Sequence, residues 1–193
     1  MIEYVERRDQ IARVILTHVA QNGFVSLDRF SHLAREIKVG RSLLYFYFKG
    51  TSEVIEAIGE LFERELAAHV LEIRARALNF KDYLEYLGGM KELAFFALEC
   101  RKELSRRPEL ERYLELVHTT IDRYSYEQFL KYYDLDQRED KRHAQFMYSC
   151  FRSRWWESLA SFESWDQASR ERFFTDLDGL MSSLKEQDKD SSS

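Results

Sequence analysis

Eight consecutive residues, Arg41-Ser42-Leu43-Leu44-Tyr45-Phe46-Tyr47-Phe48, gather side chains that could do chemistry at a surface. Read as a short helix, the first turn offers a guanidinium at Arg41 and a hydroxyl at Ser42. Leu44 and Phe48, four apart, can pack inward. Tyr45 and Tyr47 carry phenolic hydroxyls within reach of phosphate oxygens. Leu43 and Phe46 then point outward, where apolar contact with a thymine methyl is one use for them. Six consecutive helical residues cover every side of a helix, so Leu43 to Phe48 cannot all be core. No rival chemistry reaches this density. Glu115-x-x-His118 is a single Glu-x-x-His, and Glu65 and His69 are spaced by four rather than three. A di-iron bundle needs two such motifs and two further Glu. There is no His-Glu-x-x-His, phosphate loop or Gly-x-Ser-x-Gly. The expectation is a protein that is not an enzyme and holds no cofactor or metal. His18 and His32 read as solvated or satisfied helix residues. Cys100 and Cys150 sit among apolar neighbours and read as buried free thiols.

The elements that must position this octapeptide are helical. The chain has one Pro and seven Gly in 193 residues, with 45% hydrophobic and 33% charged residues. Breakers this sparse predict long helices joined by short loops, an all-α fold. Val5, Ile11, Ala12, Ile15 and Val19 give a first helix over about 3–22, ended by Gly23. Ser26 is placed to cap a second, whose stripe is Phe30, Leu33, Ala34 and Ile37. Lys38-Val39-Gly40 is a turn, and Arg41–Phe48 the third helix. Thr51 or Ser52 caps a long fourth helix. Asn79 caps a fifth running to Leu98, with Gly88-Gly89 inside it as a close helix crossing or a kink. Pro108 opens a further helix. The last two stripes run over about 136–162 and 166–186, and the polar end is a frayed tail. About nine helices result. No run approaches the ~20 apolar residues of a membrane span, and Met1–Gln10 is too charged for a signal peptide. No membrane partner and a cytoplasmic location are expected.

Two short helices joined by a tight turn form a helix-turn-helix, whose second helix enters the major groove of DNA. The charge distribution agrees. Net charge is −5, yet residues 1–50 hold eight Lys/Arg against five Asp/Glu, while 51–193 hold 21 against 29. A basic head on an acidic body is a phosphate-attracting asymmetry that the total conceals.

From Ile11 to about Ile58 the sequence resembles the DNA-binding head of the TetR family of transcriptional regulators. The matching features are Gly23 after the first helix, Leu33-Ala34 in the second, the turn at 38–40, and Leu44-Tyr45-Phe46-Tyr47-Phe48 against the family's Leu-Tyr-x-His/Tyr-Phe. The chain departs where the family's turn Gly is Lys38 and its turn Ser is Gly40. It also has Thr51-Ser52 where the family usually carries Lys-Glu beside a phosphate.

The resemblance implies a ligand-responsive, homodimeric repressor on a palindromic operator in double-stranded DNA. Residues 1–50 would be the reading head, 51–187 the effector-binding and dimerisation domain, and 188–193 a disordered tail. Arg41, Ser42 and Leu43 would read bases with Phe46 alongside. Tyr45, Tyr47, Lys49 and Thr51 would hold phosphates, with Ser26 and Arg29 adding backbone contacts. A small-molecule effector would lie near Tyr86, Met90, Tyr113 and Val117. The dimer would pair the last two helices through Phe151, Trp155, Phe162, Phe173, Leu177 and Met181. The alternative is a protein of the same fold that has lost operator binding and uses exposed Leu43 and Phe46 against another protein.

Overall fold

The computed structural model describes residues 2–135, 141–161 and 167–191, and among these there is no strand. In chain order the helices are α1 (Ile2–Asn22), α2 (Phe30–Glu36), α3 (Arg41–Tyr47), α4 (Thr51–Arg76), α5 (Phe80–Gly89), α6 (Lys91–Glu103), α7 (Glu111–Val117), α8 (Arg123–Tyr132), α9 (Lys141–Ser161) and α10 (Gln167–Ser191). Short 3-10 turns span Phe24–Leu27 and Pro108–Leu110, and a π-helical stretch, His118–Asp122, joins α7 to α8. Counting that joined pair once gives nine helices among the described residues. The fold is all-α, as the sparse breakers imply.

Two compact units emerge: 1–77 with 90–122, and 78–89 with 123–193. In the first, Ile11, Ala12, Ile15, Leu16 and Val19 of α1 are buried, and this stripe packs on α4 and α6. Phe24, Leu33, Leu44, Phe48, Val54 and Ile58 complete the core beneath the helix-turn-helix. The turn between α2 and α3 closes as a Schellman motif. The Val39 N–H donates to the Ala34 carbonyl (2.9 Å) and the Lys38 N–H to the Arg35 carbonyl (3.2 Å). That geometry puts Lys38 in the left-handed region (φ 55), where an L side chain costs about 1–2 kcal/mol.

Further along α4, Gly59 is buried, and a Cβ there would run into the phenol ring of Tyr113 on α7. The absent side chain lets the two helices approach closely. Tyr113 lies against Phe62 and Phe96 (ring centroids 6.1 and 6.3 Å). Cys100 is free and buried, and burial pushes its thiol well above the ordinary value. Cys150 is also free and is partly exposed, unlike the buried thiol expected there.

In the second unit, Phe80, Tyr83 and Leu84 of α5 pack with Phe129 of α8 and with Met147, Phe151 and Trp155 of α9 in an apolar and aromatic core. Buried Tyr83 shares a 2.6 Å hydrogen bond with Ser125. The Tyr133 hydroxyl donates to Asp178 (2.9 Å), and burial, followed by this bond, raises its pKa.

Several local expectations are corrected. Ser26 does not cap α2: it lies in the first 3-10 turn, its hydroxyl donates to the Gly23 carbonyl (2.7 Å), and Arg29 holds the cap position. The second helix is accordingly only seven residues long. Neither Thr51 nor Ser52 caps α4, because Gly50 occupies that place. Asn79 does cap α5, accepting from the Asp82 N–H (3.0 Å). The single helix expected from Asn79 to Leu98 is two, since α5 ends at Gly89 and Met90 begins α6. Helical structure reaches Ser191, into the segment read as a tail.

The proposed dimer stripe also changes meaning. Phe151, Trp155, Phe173, Leu177 and Met181 are all buried within one chain. Trp155 meets Phe173 edge-on (5.6 Å). These residues are the unit's own core rather than a face left for a partner. Phe162 lies outside the described residues.

Candidate nucleic-acid interface

The octapeptide starting at Arg41 is a surface element anchored on two sides. Leu44 and Phe48 are fully buried, and the guanidinium of Arg8 lies over the Phe48 ring (5.5 Å). Arg41, Ser42, Tyr45 and Phe46 are exposed, whereas Leu43 and Tyr47 are half-buried. At 100° per residue the four exposed positions fall within about 140° of arc, a single face. Arg41 stacks on Tyr45 (5.7 Å), which meets Phe30 of α2 edge-on (5.0 Å). Phe46 is 66% exposed and rests against Tyr4 of α1 (5.8 Å). Tyr47 also packs on Tyr4 (4.9 Å). Guanidinium, hydroxyl, phenol and bare aromatic edge therefore share one outward surface. Leu43 and Tyr47 sit closer to the support than their expected roles require.

The electrostatics of this unit divide sharply. On α1, Arg8 pairs with Glu60 (3.5 Å) and Arg13 with Glu65, while Asp9 pairs with Arg64 (2.6 Å). Arg8, Asp9 and Arg13 are thus met by α4, while Arg7 reaches Gln10 of its own helix (2.9 Å). Residues 29–49 differ: Arg29, Arg35, Lys38, Arg41 and Lys49 face the single acid Glu36. Glu36 itself lies 3.2 Å from His18 Nε2. All five cations are exposed. None has a carboxylate partner among the described residues, so their field is available to an external anion.

Candidate phosphate contacts fare differently from one another. Arg29 and Lys49 are exposed, and the Lys49 N–H donates to Glu53 (3.0 Å), fixing the entry to α4. The Thr51 hydroxyl donates to the Leu27 carbonyl (3.1 Å). Its one proton is therefore directed inward, and Thr51 fastens α4 to the 3-10 turn. The Ser26 hydroxyl is likewise engaged internally.

The four residues tied to an effector are divided between the two units. Tyr86 lies in the second unit; Met90, Tyr113 and Val117 lie in the first. Met90 is buried, and Tyr113 lines a cleft of about 370 Å³. Burial raises the Tyr113 pKa, opposed by the Arg112 guanidinium that donates to its hydroxyl. Glu115 and His118 are both exposed, and His118 pairs with Asp122 (3.5 Å). His32 is exposed. His18 Nδ1 meets the Asn22 amide (3.2 Å), while its buried Nε2 lies 3.2 Å from Glu36 without a hydrogen bond, so the satisfied reading holds for one ring nitrogen only.

Sequence reasoning missed Tyr4, which supports Phe46 and Tyr47 from outside the motif, and the Gly59–Tyr113 contact. A Tyr near a chain start and a Gly inside a helical pattern carry no local signal of either role. No protein-family model, curated protein or solved structure matches the chain. Among the described residues no helix is long and apolar enough to cross a membrane.

Proposed function

We propose that the chain is a DNA-binding transcriptional regulator, a ligand-responsive homodimeric repressor that reads a palindromic operator through α3, as the resemblance to the TetR family implies. The observation that carries this reading is the set of five exposed cations without carboxylate partners in residues 29–49, around a helix face of Arg41, Ser42, Tyr45 and Phe46. Arg41 takes the guanine-reading role, the commonest specific contact of a guanidinium in the major groove. Lys49, with Arg29, Arg35 and Lys38 nearby in sequence, holds phosphates and sets register. Phe46 supplies apolar contact with a thymine methyl.

Fluorescence anisotropy of the full chain on labelled duplex DNA, over a salt series, tests the electrostatic part. Log K falls linearly with log salt, with a slope of about −0.9 per phosphate neutralised. Lys49→Ala flattens that slope by about one per protomer and weakens all sequences alike. No binding at low salt, or binding indifferent to salt, contradicts the proposal.

Two observations favour the second reading, a protein-interaction module. Phe46, Tyr4 and Val5 leave an apolar edge exposed, and the Thr51 hydroxyl is turned inward. In that case Phe46→Ser abolishes partner capture, and the protein leaves DNA unshifted.

A further inference from the structure

Two helix faces with the same spacing border the 370 Å³ cleft: Ser52, Ile55 and Glu56 on α4, and Glu109, Arg112 and Tyr113 around the start of α7. Ile55 and Tyr113 are buried in the protein yet line the cleft, so its floor is apolar. Its rim is acidic. Glu56 and Glu109 are exposed and have no ion-pair partner among the described residues. The one cation on the rim, Arg112, pairs with Glu63 (3.6 Å), and its guanidinium lies over the Tyr113 ring (4.6 Å).

Arg112 shows what this cleft accepts. The chain's own guanidinium already occupies the aromatic face, beside Glu63 and within the field of Glu56. A cation over a tyrosine ring, flanked by carboxylates, is the chemistry by which proteins hold ammonium and amidinium ligands. The wall behind it does not yield easily, because Tyr113 is held between Phe62, Phe96 and the bare backbone of Gly59. We propose that the α4–α7 cleft binds a small organic cation, an amine or amidine on a compact apolar body, with Glu56 and Glu109 taking its charge and Ile55 and Tyr113 its body.

Such a ligand competes with Arg112 for the Tyr113 face. It also touches the first two turns of α4, the helix that follows α3 and that Thr51 ties to the reading head. Binding stands on the cleft alone. Only its use as an effector rests on the regulator reading.

Isothermal titration calorimetry of the full chain with benzamidine, and with its neutral counterpart benzamide, separates the charge from the shape. Benzamidine binds about tenfold or more tightly than benzamide. Glu56→Gln with Glu109→Gln removes that preference while leaving the thermal transition in place, since both side chains are exposed. Arg112→Ala strengthens benzamidine binding by freeing the ring. Equal affinity for the two probes, a preference that survives the double substitution, or no heat with benzamidine at millimolar concentration overturns the proposal. Binding that passes these tests but leaves DNA affinity unchanged contradicts the effector role and keeps the site.

Discussion

Replacing Gly59 with alanine should destabilise the protein, although the same change in most helix interiors stabilises it. Helix propensity alone favours Ala by about 1 kcal/mol. The added methyl here meets the Tyr113 ring. Tyr113 is 2% exposed and bounded by Phe62 and Phe96, so it cannot swing aside without displacing its neighbours. Overpacking of this kind costs roughly 1–3 kcal/mol. The methyl falls on the phenol end of Tyr113, and the packing of that ring against Phe62 and Phe96 places the cost at the upper end. The net loss is then about 2 kcal/mol, a fall in Tm of about 4–8 °C for a domain of this size.

The double-mutant cycle sharpens the argument. Tyr113→Ala alone costs about 3–5 kcal/mol, as for other large aromatic truncations. In that background Gly59→Ala should recover about 1 kcal/mol, giving a coupling of about 3 kcal/mol. Urea denaturation with unchanged m is the assay. A neutral or stabilising Gly59→Ala in the otherwise unaltered chain would refute the claim that this glycine exists to admit the tyrosine.

Lys38→Gly should raise stability by roughly 0.5–1 kcal/mol, since Lys38 holds a left-handed conformation (φ 55) that glycine adopts freely; a denaturation curve with a lowered midpoint contradicts this. Iodoacetamide should modify Cys150 in the native protein and spare Cys100, which reacts only after unfolding, as mass spectrometry of the labelled peptides will show. Burial raises the Cys100 pKa above its ordinary 9.0, so the native state keeps a proton that the unfolded chain releases. Stability therefore holds below that pH and falls above it, by up to about 1.4 kcal/mol per unit from this group. Cys100→Ala should reduce that slope in denaturation curves recorded from pH 8 to about pH 10, within the thiol's unfolded range.

The helices were legible wherever a stripe at spacing three or four had to be buried, as in Ile11–Val19 and Val54–Ile73. What failed to read was decided by partners distant in sequence. The stripe Phe151, Trp155, Phe173, Leu177 and Met181 announces burial, but periodicity cannot tell a chain's own core from a partner's. Ser26 and Thr51 have the right chemistry for helix caps, yet each hydroxyl finds a carbonyl first. Gly88-Gly89 stands out within the fifth helical pattern, where it marks an end, while nothing local distinguishes Gly59, although the close approach is there. At the candidate interface, the identity of the exposed side chains could be read from helical geometry. That Tyr47 is half-buried could not, because Tyr4 reaches it from forty-three positions away.

The most direct test of the central claim is selection of binding sites from random duplexes by the purified full chain, repeated with Arg41→Ala. An inverted repeat should emerge, and Arg41→Ala should relax one position in each half-site, at a cost of about 1–3 kcal/mol there. If no sequence is enriched at low salt, or if the Arg41→Ala protein selects the same repeat unchanged, α3 is not a reading helix.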